Sequence, residues 1–229
     1  MALSDNCEAF WSFATSSLTD AKNGHVLTSL NTSFESSAPG PCRKADVSGN
    51  SILRCSTITL TEPFTMAAEI YVDGGASGDF TFLAYARGSA DYLQAYQSAS
   101  NILLVRSRSG GTAGDADGGG VTGSAWNDVA GVWTSSTSRQ AYRDGTLSAA
   151  NTTSVSPSGA GTTVSALAIW DGSAALNGSF QNWRIRNWAI WSRGLSDAEL
   201  DSYHASPTDV LIGGGGSTLL RKLNHFLRA

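Results

Sequence analysis

The sequence predicts an all-β chain, a two-sheet antiparallel β-sandwich with one short capped helix and a C-terminal amphipathic helix. Three observations carry the prediction. Charged residues make up 15% of the 229 positions, against about 25% in an average soluble domain. Ser, Thr, Gly and Ala fill the difference, and Ser, Thr and Gly are indifferent or poor in helix interiors. Short runs of alternating apolar residues recur at the spacing of a sandwich, separated by turn residues. Near the end, an aromatic strand (Trp183 to Trp191) runs into a well-specified helix start. Ser196 is the N-cap, Glu199 completes a capping box, and Leu195 with Leu200 forms a hydrophobic staple.

In chain order, the first strand is read at Cys7 to Ala14, around Phe10, Trp11 and Phe13, and a turn-rich stretch follows to Pro41. Ile52 to Leu60 is a short strand. Phe64 to Val72 alternates cleanly and is expected to be half-buried, with one face in the core. Further strands are read at Phe80 to Ala86, Tyr92 to Gln97 and Ile102 to Ser107. Gly110 to Gly120 reads as a glycine-rich loop. Trp126 to Trp133 is the next strand. Arg139 to Tyr142 and Thr146 to Ala149 form a hairpin around Asp144-Gly145, and Val164 to Trp170 follows. In the strand Phe180 to Trp191, Trp183 and Ile185 have one parity while Trp188 and Ile190 have the other. Either both faces are buried, or a bulge near Arg186-Asn187 resets the phase; the bulge is preferred because it sends both pairs into one core.

Three organisational units are expected: a sandwich over 1–207, a Gly-rich linker over 208–216 and an amphipathic docking helix over 217–229. In the last, Leu219, Leu220, Leu223, Phe226 and Leu227 share one helical stripe, with Arg221, Lys222 and Arg228 off it. Thirteen residues are too few for a stable isolated helix, so the segment needs a surface to lie on. A protein partner is preferred, because a flexible glycine spacer serves no purpose for a self-packed helix. Packing on its own sandwich, or an origin as an engineered Gly-Gly-Gly-Gly-Ser linker, are the alternatives.

Net charge is -4 with pI near 5.3, which argues against nucleic acid as a partner. No run approaches the length of a membrane span, and Met1 to Thr15 lacks the basic and apolar regions of a secretory signal. Cys7, Cys42 and Cys55 suit a reduced compartment or core use, with a Cys42 to Cys55 bridge conceivable across a hairpin.

Three stretches resemble the laminin-G-like jelly-roll branch of the concanavalin A-like lectin/glucanase superfamily. Phe10-Trp11-Ser12-Phe13 and Phe64 to Tyr71 are similar to its opening and framework strands. Trp126 to Ala130 followed by Tyr142-Arg143-Asp144-Gly145 is similar to its Trp-x-x-Val-Ala strand and Tyr-x-Asp-Gly hairpin. Asn177-Gly178 through Trp191, then Leu195 to Leu200, is similar to its closing strand and helix. The resemblance implies a jelly-roll sandwich and leaves function open, since one fold hosts many activities. The runs at 148–154 and 206–211 are similar to single-domain versions encoded by bacterial viruses. The leading expectation is therefore a non-enzymatic virion protein, a capsid decoration or tail appendage that is oligomeric within its assembly and attached to other virion proteins by its tail, with host glycans as further ligands. A free lectin and a glycoside hydrolase are the alternatives, with a cytoplasmic or extracellular location in place of the virion.

Retaining glycosidases need two carboxylates about 5–5.5 Å apart; the glutamates are scattered, and Glu69 has no acid within the Phe64 to Val72 strand, Asp73 falling in the Asp-Gly-Gly turn that stops it. Asp197, Glu199 and Asp201 are accounted for by helix capping and favourable charge at a helix start. Asp115 and Asp117 are candidate calcium ligands, no other cofactor being expected, although calcium needs six to eight oxygens. Tyr85, Tyr92 and Tyr96 lie on neighbouring strands off the clearest core parity and are candidates to stack sugar rings, although a packed second sheet or an intersubunit face is the preferred explanation.

Overall fold

The computed structural model describes residues 1–37, 40–46, 51–73, 78–158, 161, 163–176 and 183–211. The strands are β1 (Cys7–Trp11), β2 (Thr28–Leu30), β3 (Thr32–Glu35), β4 (Cys42–Ala45), β5 (Ile52–Cys55) and β6 (Phe64–Val72). Next come β7 (Phe80–Ala86), β8 (Asp91–Gln97), β9 (Ile102–Ser109), β10 (Thr112–Gly120), β11 (Ala125–Ser135) and β12 (Ser138–Arg143). The series closes with β13 (Thr146–Leu147), β14 (Thr163–Ala166), β15 (Ile169–Trp170), β16 (Ala175–Leu176) and β17 (Arg184–Trp191), then helix α1 (Asp197–Ala205) and a 3-10 turn at Pro207–Leu211.

Two antiparallel sheets stack as the predicted sandwich. One runs β13-β12-β11-β6-β17-β4-β3, with β1 sharing the β4 side of β17; the other runs β10-β9-β8-β7-β14-β5-β2. Between them lies the main core, which holds Trp11, Phe64, Ile70, Phe82, Trp133, Trp183 and Trp188. The preferred bulge is present. Against β6, the step from Arg186 to Ala189 on β17 spans only Glu69 to Ala67, and Asn187 takes φ 49° to absorb the extra residue. Both Trp183/Ile185 and Trp188/Ile190 thereby enter the same core. The hairpin at Asp144-Gly145 has positive φ at both residues, the conformation that matches strand twist in a two-residue turn.

Several expectations are corrected. Strand β6 is buried on both faces. Its outer side at Ala67 is covered by Leu195, Leu200 and Tyr203 of the helix region, together with Leu3 and Val210 near the two ends of the described chain. Ile52 to Leu60 stays a strand only to Cys55, though Ile58 and Leu60 are buried. Of the stretch Gly110 to Gly120, Thr112 onward is strand β10, paired antiparallel with β9 with a register shift between Asp117 and Gly120. Two of its glycines mark close approach: a Cβ on Gly114 would sit 1.9 Å from the Arg139 guanidinium, and one on Gly118 3.0 Å from Ala141 and Leu103. Val164 to Trp170 is broken at Leu167, where φ is 69°, so that β15 and β16 form a separate hairpin that packs Ile169 and Leu176 over Ala84, Ala86 and Tyr92. Cys42 and Cys55 lie in different sheets, and all three cysteines are free and buried. Residues 208–211, read as linker, belong to the body, since Val210 is fully buried. The docking residues Leu219, Leu220, Arg221, Lys222, Leu223, Phe226, Leu227 and Arg228, and the pair Asn177-Gly178, lie outside the described residues.

The helix start matches expectation. The Glu199 carboxylate accepts both the backbone N–H and the hydroxyl of Ser196, at 3.0 and 2.9 Å, while Leu195 and Leu200 are both buried in the same cluster. Thr65 of β6 ties the entry down by donating to the Arg193 carbonyl and accepting the Leu195 N–H.

Candidate functional site

The three tyrosines that are candidates to stack sugars are buried, which fits a packed sheet instead. Tyr85 faces the core and its hydroxyl accepts the Leu60 N–H and donates to the Gly161 carbonyl. Tyr92 and Tyr96 lie on the outer face of the second sheet but are only 3% and 2% exposed; Arg108 donates to the Tyr92 hydroxyl at 3.0 Å and Arg106 stands 4.6 Å from the centre of the Tyr96 ring. Burial, then the nearby Asp115 charge, holds the Tyr96 phenol above its ordinary pKa. At that degree of burial neither ring is open to a sugar. Asp115 is also committed, gripped by Arg106 through two hydrogen bonds of 2.7 and 2.8 Å. The Asp117 carboxylate accepts the Gly119 N–H. Among the described residues, no three His, Cys, Asp or Glu side chains come together as a metal site.

The outer face of the first sheet is different. Its α1 end is sealed, but at the other end Trp126 of β11 and Tyr71 of β6 are half-buried cross-strand partners. Their rings meet edge to face at 5.7 Å. The register continues the row through Arg184 of β17 to Lys44 of β4. One residue pair further along, Asp128, Glu69 and Arg186 form a parallel row. Arg186 stands 4.1 Å from the centre of the Trp126 ring and Arg184 5.0 Å from that of Tyr71.

Each arginine is held from behind by a carboxylate. Arg186 donates to Glu69 at 2.6 Å, and Asn187 at the bulge donates to the other Glu69 oxygen. Arg184 donates to Glu35 at 2.5 Å. That hydrogen bond holds the Glu35 carboxyl below the usual carboxylate range against a smaller opposing effect of burial, and the positive charges of Arg184 and Lys44 add to the lowering. The guanidinium groups are thus fixed as flat, oriented donors beside two aromatic rings. Asn127 sets the approach to Trp126, its side chain bonding the Thr122 N–H and carbonyl.

The parts of this face are scattered in the sequence. Trp126, Tyr71 and Glu69 are recognisable as strand residues, but the sequence reading passes over Arg184, Arg186, Glu35 and Lys44. The available signal is the doubled Arg-x-Arg at 184–186 just before the bulge, whose two arginines share one side of the strand. The register also sets Asp128 opposite Glu69. Glu69 is buried beneath Arg186 and Asn187, and Asp128 lies 3.3 Å from the buried His204 ring.

The sequence profile of the concanavalin A-like lectin/glucanases superfamily matches residues 47–201. The chain belongs to this superfamily. No curated protein matches it in sequence. Solved structures share the fold of this superfamily member at low identity. Domain 4 of AbnA, an extracellular arabinanase from Geobacillus stearothermophilus solved in complex with arabinotriose, has TM-score 0.66 at 12% identity, covering 86% of this chain and 97% of that one. The binding domain of Paraclostridial Mosquitocidal Protein 1 has TM-score 0.69 at 12% identity, covering 90% and 53%. A botulinum neurotoxin type C structure, described in terms of cell entry through two ganglioside molecules, has TM-score 0.65 at 13% identity, covering 89% and 52%. The chain therefore spans about half the length of the toxin chains it matches. No described helix is long and apolar enough to cross a membrane.

Proposed function

We propose that this chain is a non-enzymatic carbohydrate-recognition module displayed on a larger assembly, a bacteriophage virion, with segment 217–229 as its attachment to other virion proteins. The observation that carries the recognition reading is the half-buried Trp126–Tyr71 pair, flanked by the arginines that Glu69 and Glu35 hold in place. Aromatic faces take the apolar face of a pyranose, and oriented guanidinium N–H groups meet its hydroxyls. The superfamily and the arabinotriose complex of the AbnA domain support this reading. The likeness of 148–154 and 206–211 to bacterial-virus proteins supports the virion setting. Leu3 and Val210 share one cluster, and the Lys22 ammonium donates to the Ser4 and Val210 carbonyls, so the last described residues lie at the sealed α1 end, which supports an attachment away from the Trp126 face.

The test uses the intact chain. Calorimetric titration against an oligosaccharide panel should give at least one binder, with Trp126→Ala weakening it roughly tenfold or more, the scale of one stacking contact. A silent panel overturns the recognition reading. Deleting 213–229 should abolish incorporation into virions while leaving the far-ultraviolet circular dichroism of the sandwich intact; unchanged incorporation overturns the attachment.

A hydrolase is the second reading, favoured by one observation, the cross-strand Asp128–Glu69 pair. Against it, both Glu69 oxygens are engaged by Arg186 and Asn187, which leaves Asp128 without a second free carboxylate across the strand. Release of reducing ends from a bound polysaccharide, lost in Glu69→Gln, would decide for it.

A further inference from the structure

We infer that the carbohydrate recognised at the Trp126–Tyr71 face is an uncharged oligosaccharide, and that the face discriminates against sugars bearing a carboxylate or sulfate. The inference rests on the recognition reading and deepens it. Its basis is that the cations of this face are already answered. Glu35 accepts a hydrogen bond from Arg184 and feels the positive charges of both Arg184 and Lys44. Asp73, just past the end of β6, acts on Arg184 as well. Glu69 pairs with Arg186. Asp128 is the cross-strand partner of Glu69, and the buried His204 ring is the basic group beside it. Four carboxylates thus stand against the three cations Lys44, Arg184 and Arg186, in a chain whose net charge is -4.

An incoming carboxylate would have to displace Glu35 or Glu69 from a guanidinium, or lie beside them and be repelled; like charges set side by side at an interface are how wrong partners are rejected. It would also lose its hydration for no new ion pair. A sugar hydroxyl meets neither obstacle, because a hydroxyl both donates and accepts. The row that runs parallel to the rings offers both roles. The Asp128 carboxylate is 34% exposed and can accept. The Arg186 guanidinium is 29% exposed, and it carries five N–H donors, more than Glu69 can take. Trp126, Tyr71, Arg184 and Lys44 occupy four adjacent strands, so the face is about 14 Å long at the usual strand spacing. That length suits a chain of sugars rather than a single ring.

The experiment compares matched probes on the full chain by calorimetry: the methyl ester of tetragalacturonate against tetragalacturonate, and lactose against 3′-sialyllactose. The expected result is a preference of roughly tenfold or more for an uncharged member over its acidic counterpart. That preference should shrink as salt is raised. It should also shrink in Glu35→Gln, which leaves Lys44 and Arg184 unanswered, and in Asp128→Asn, which removes a repelling charge; circular dichroism checks that each variant is folded. Because the readout is the ratio within a pair, a general loss of affinity in a variant does not mimic the effect. Equal affinity within both pairs, or tighter binding of an acidic member, overturns the inference while the recognition reading stands. So does an uncharged preference that is unmoved in both folded variants. If neither pair binds but other oligosaccharides do, uncharged binders uphold the inference and a charged binder tighter than its uncharged parent overturns it. If no oligosaccharide binds at all, the recognition reading falls with it.

Discussion

Arg139 shows how much one buried side chain can organise. It is fully buried and carries no carboxylate partner among the described residues. Its guanidinium instead donates to the Asn151 side chain and to the carbonyls of Ser136 and Thr153, which fastens the segment after β13 to the sandwich. Gly114 on β10 is the complement, since any Cβ there would collide with the guanidinium. Gly114→Ala is expected to cost about 1–3 kcal/mol, the usual cost of overpacking, read as a lower urea midpoint with an unchanged slope. Glu199 gives a pH-dependent case. Burial opposes its ionisation, but the Ser196 donors and Arg193 outweigh burial and hold its pKa below the ordinary 4.5. A carboxyl with a depressed folded pKa stabilises fully above its unfolded pKa and loses that contribution as pH falls through the folded one. Wild type should therefore lose about 1 kcal/mol relative to Glu199→Gln between roughly pH 5 and pH 3, the scale of a helix cap, measured by denaturant titration at each pH. The capping role is legible in the sequence because Ser196 and Glu199 are three residues apart. The Gly114–Arg139 contact is not, because it joins distant parts of the chain.

Among the elements, β17 carries the largest consequence. Its bulge sends two pairs of apolar side chains into one core and sets Arg184 and Arg186 on the face opposite, with Asn187 at positive φ. Left-handed backbone is costly for a β-branched residue, about 1–2 kcal/mol, and tolerable for Asn or Gly. Asn187→Val should thus be destabilised by at least that amount. Asn187→Gly keeps the backbone and loses the Glu69 hydrogen bond, so it should retain more stability than Asn187→Val; the order of their thermal midpoints checks this. The parity conflict between Trp183/Ile185 and Trp188/Ile190 makes the bulge readable from the sequence alone. By contrast, β10 reads as a loop in the sequence because glycine counts against a strand by propensity. Pairing with β9 and the tight approach of Arg139 override that propensity, as tertiary context often does.

At the scale of the whole molecule, three apolar clusters stack in layers: α1 on the first sheet, sheet on sheet, and the β15–β16 hairpin on the second. The three cysteines are distributed through this interior as free thiols, and burial pushes Cys7 and Cys42 up to about 12 and about 11. All three thiols should resist an aromatic disulfide reagent in the native protein and react fully after denaturation, and the melting temperature should not depend on reductant. Rapid loss of a thiol under native conditions would contradict the buried placement.

The order of strands, the capped helix and the bulge follow from alternation, capping chemistry and side-chain parity, all of which act over a few residues and can be read along the chain. The burial of Tyr92 and Tyr96 beside arginines, the second covered face of β6, and the meeting of Trp126, Tyr71, Arg184 and Lys44 depend on which strands become neighbours. Register joins residues more than a hundred positions apart, and no short-range pattern records which distant side chains will share a face.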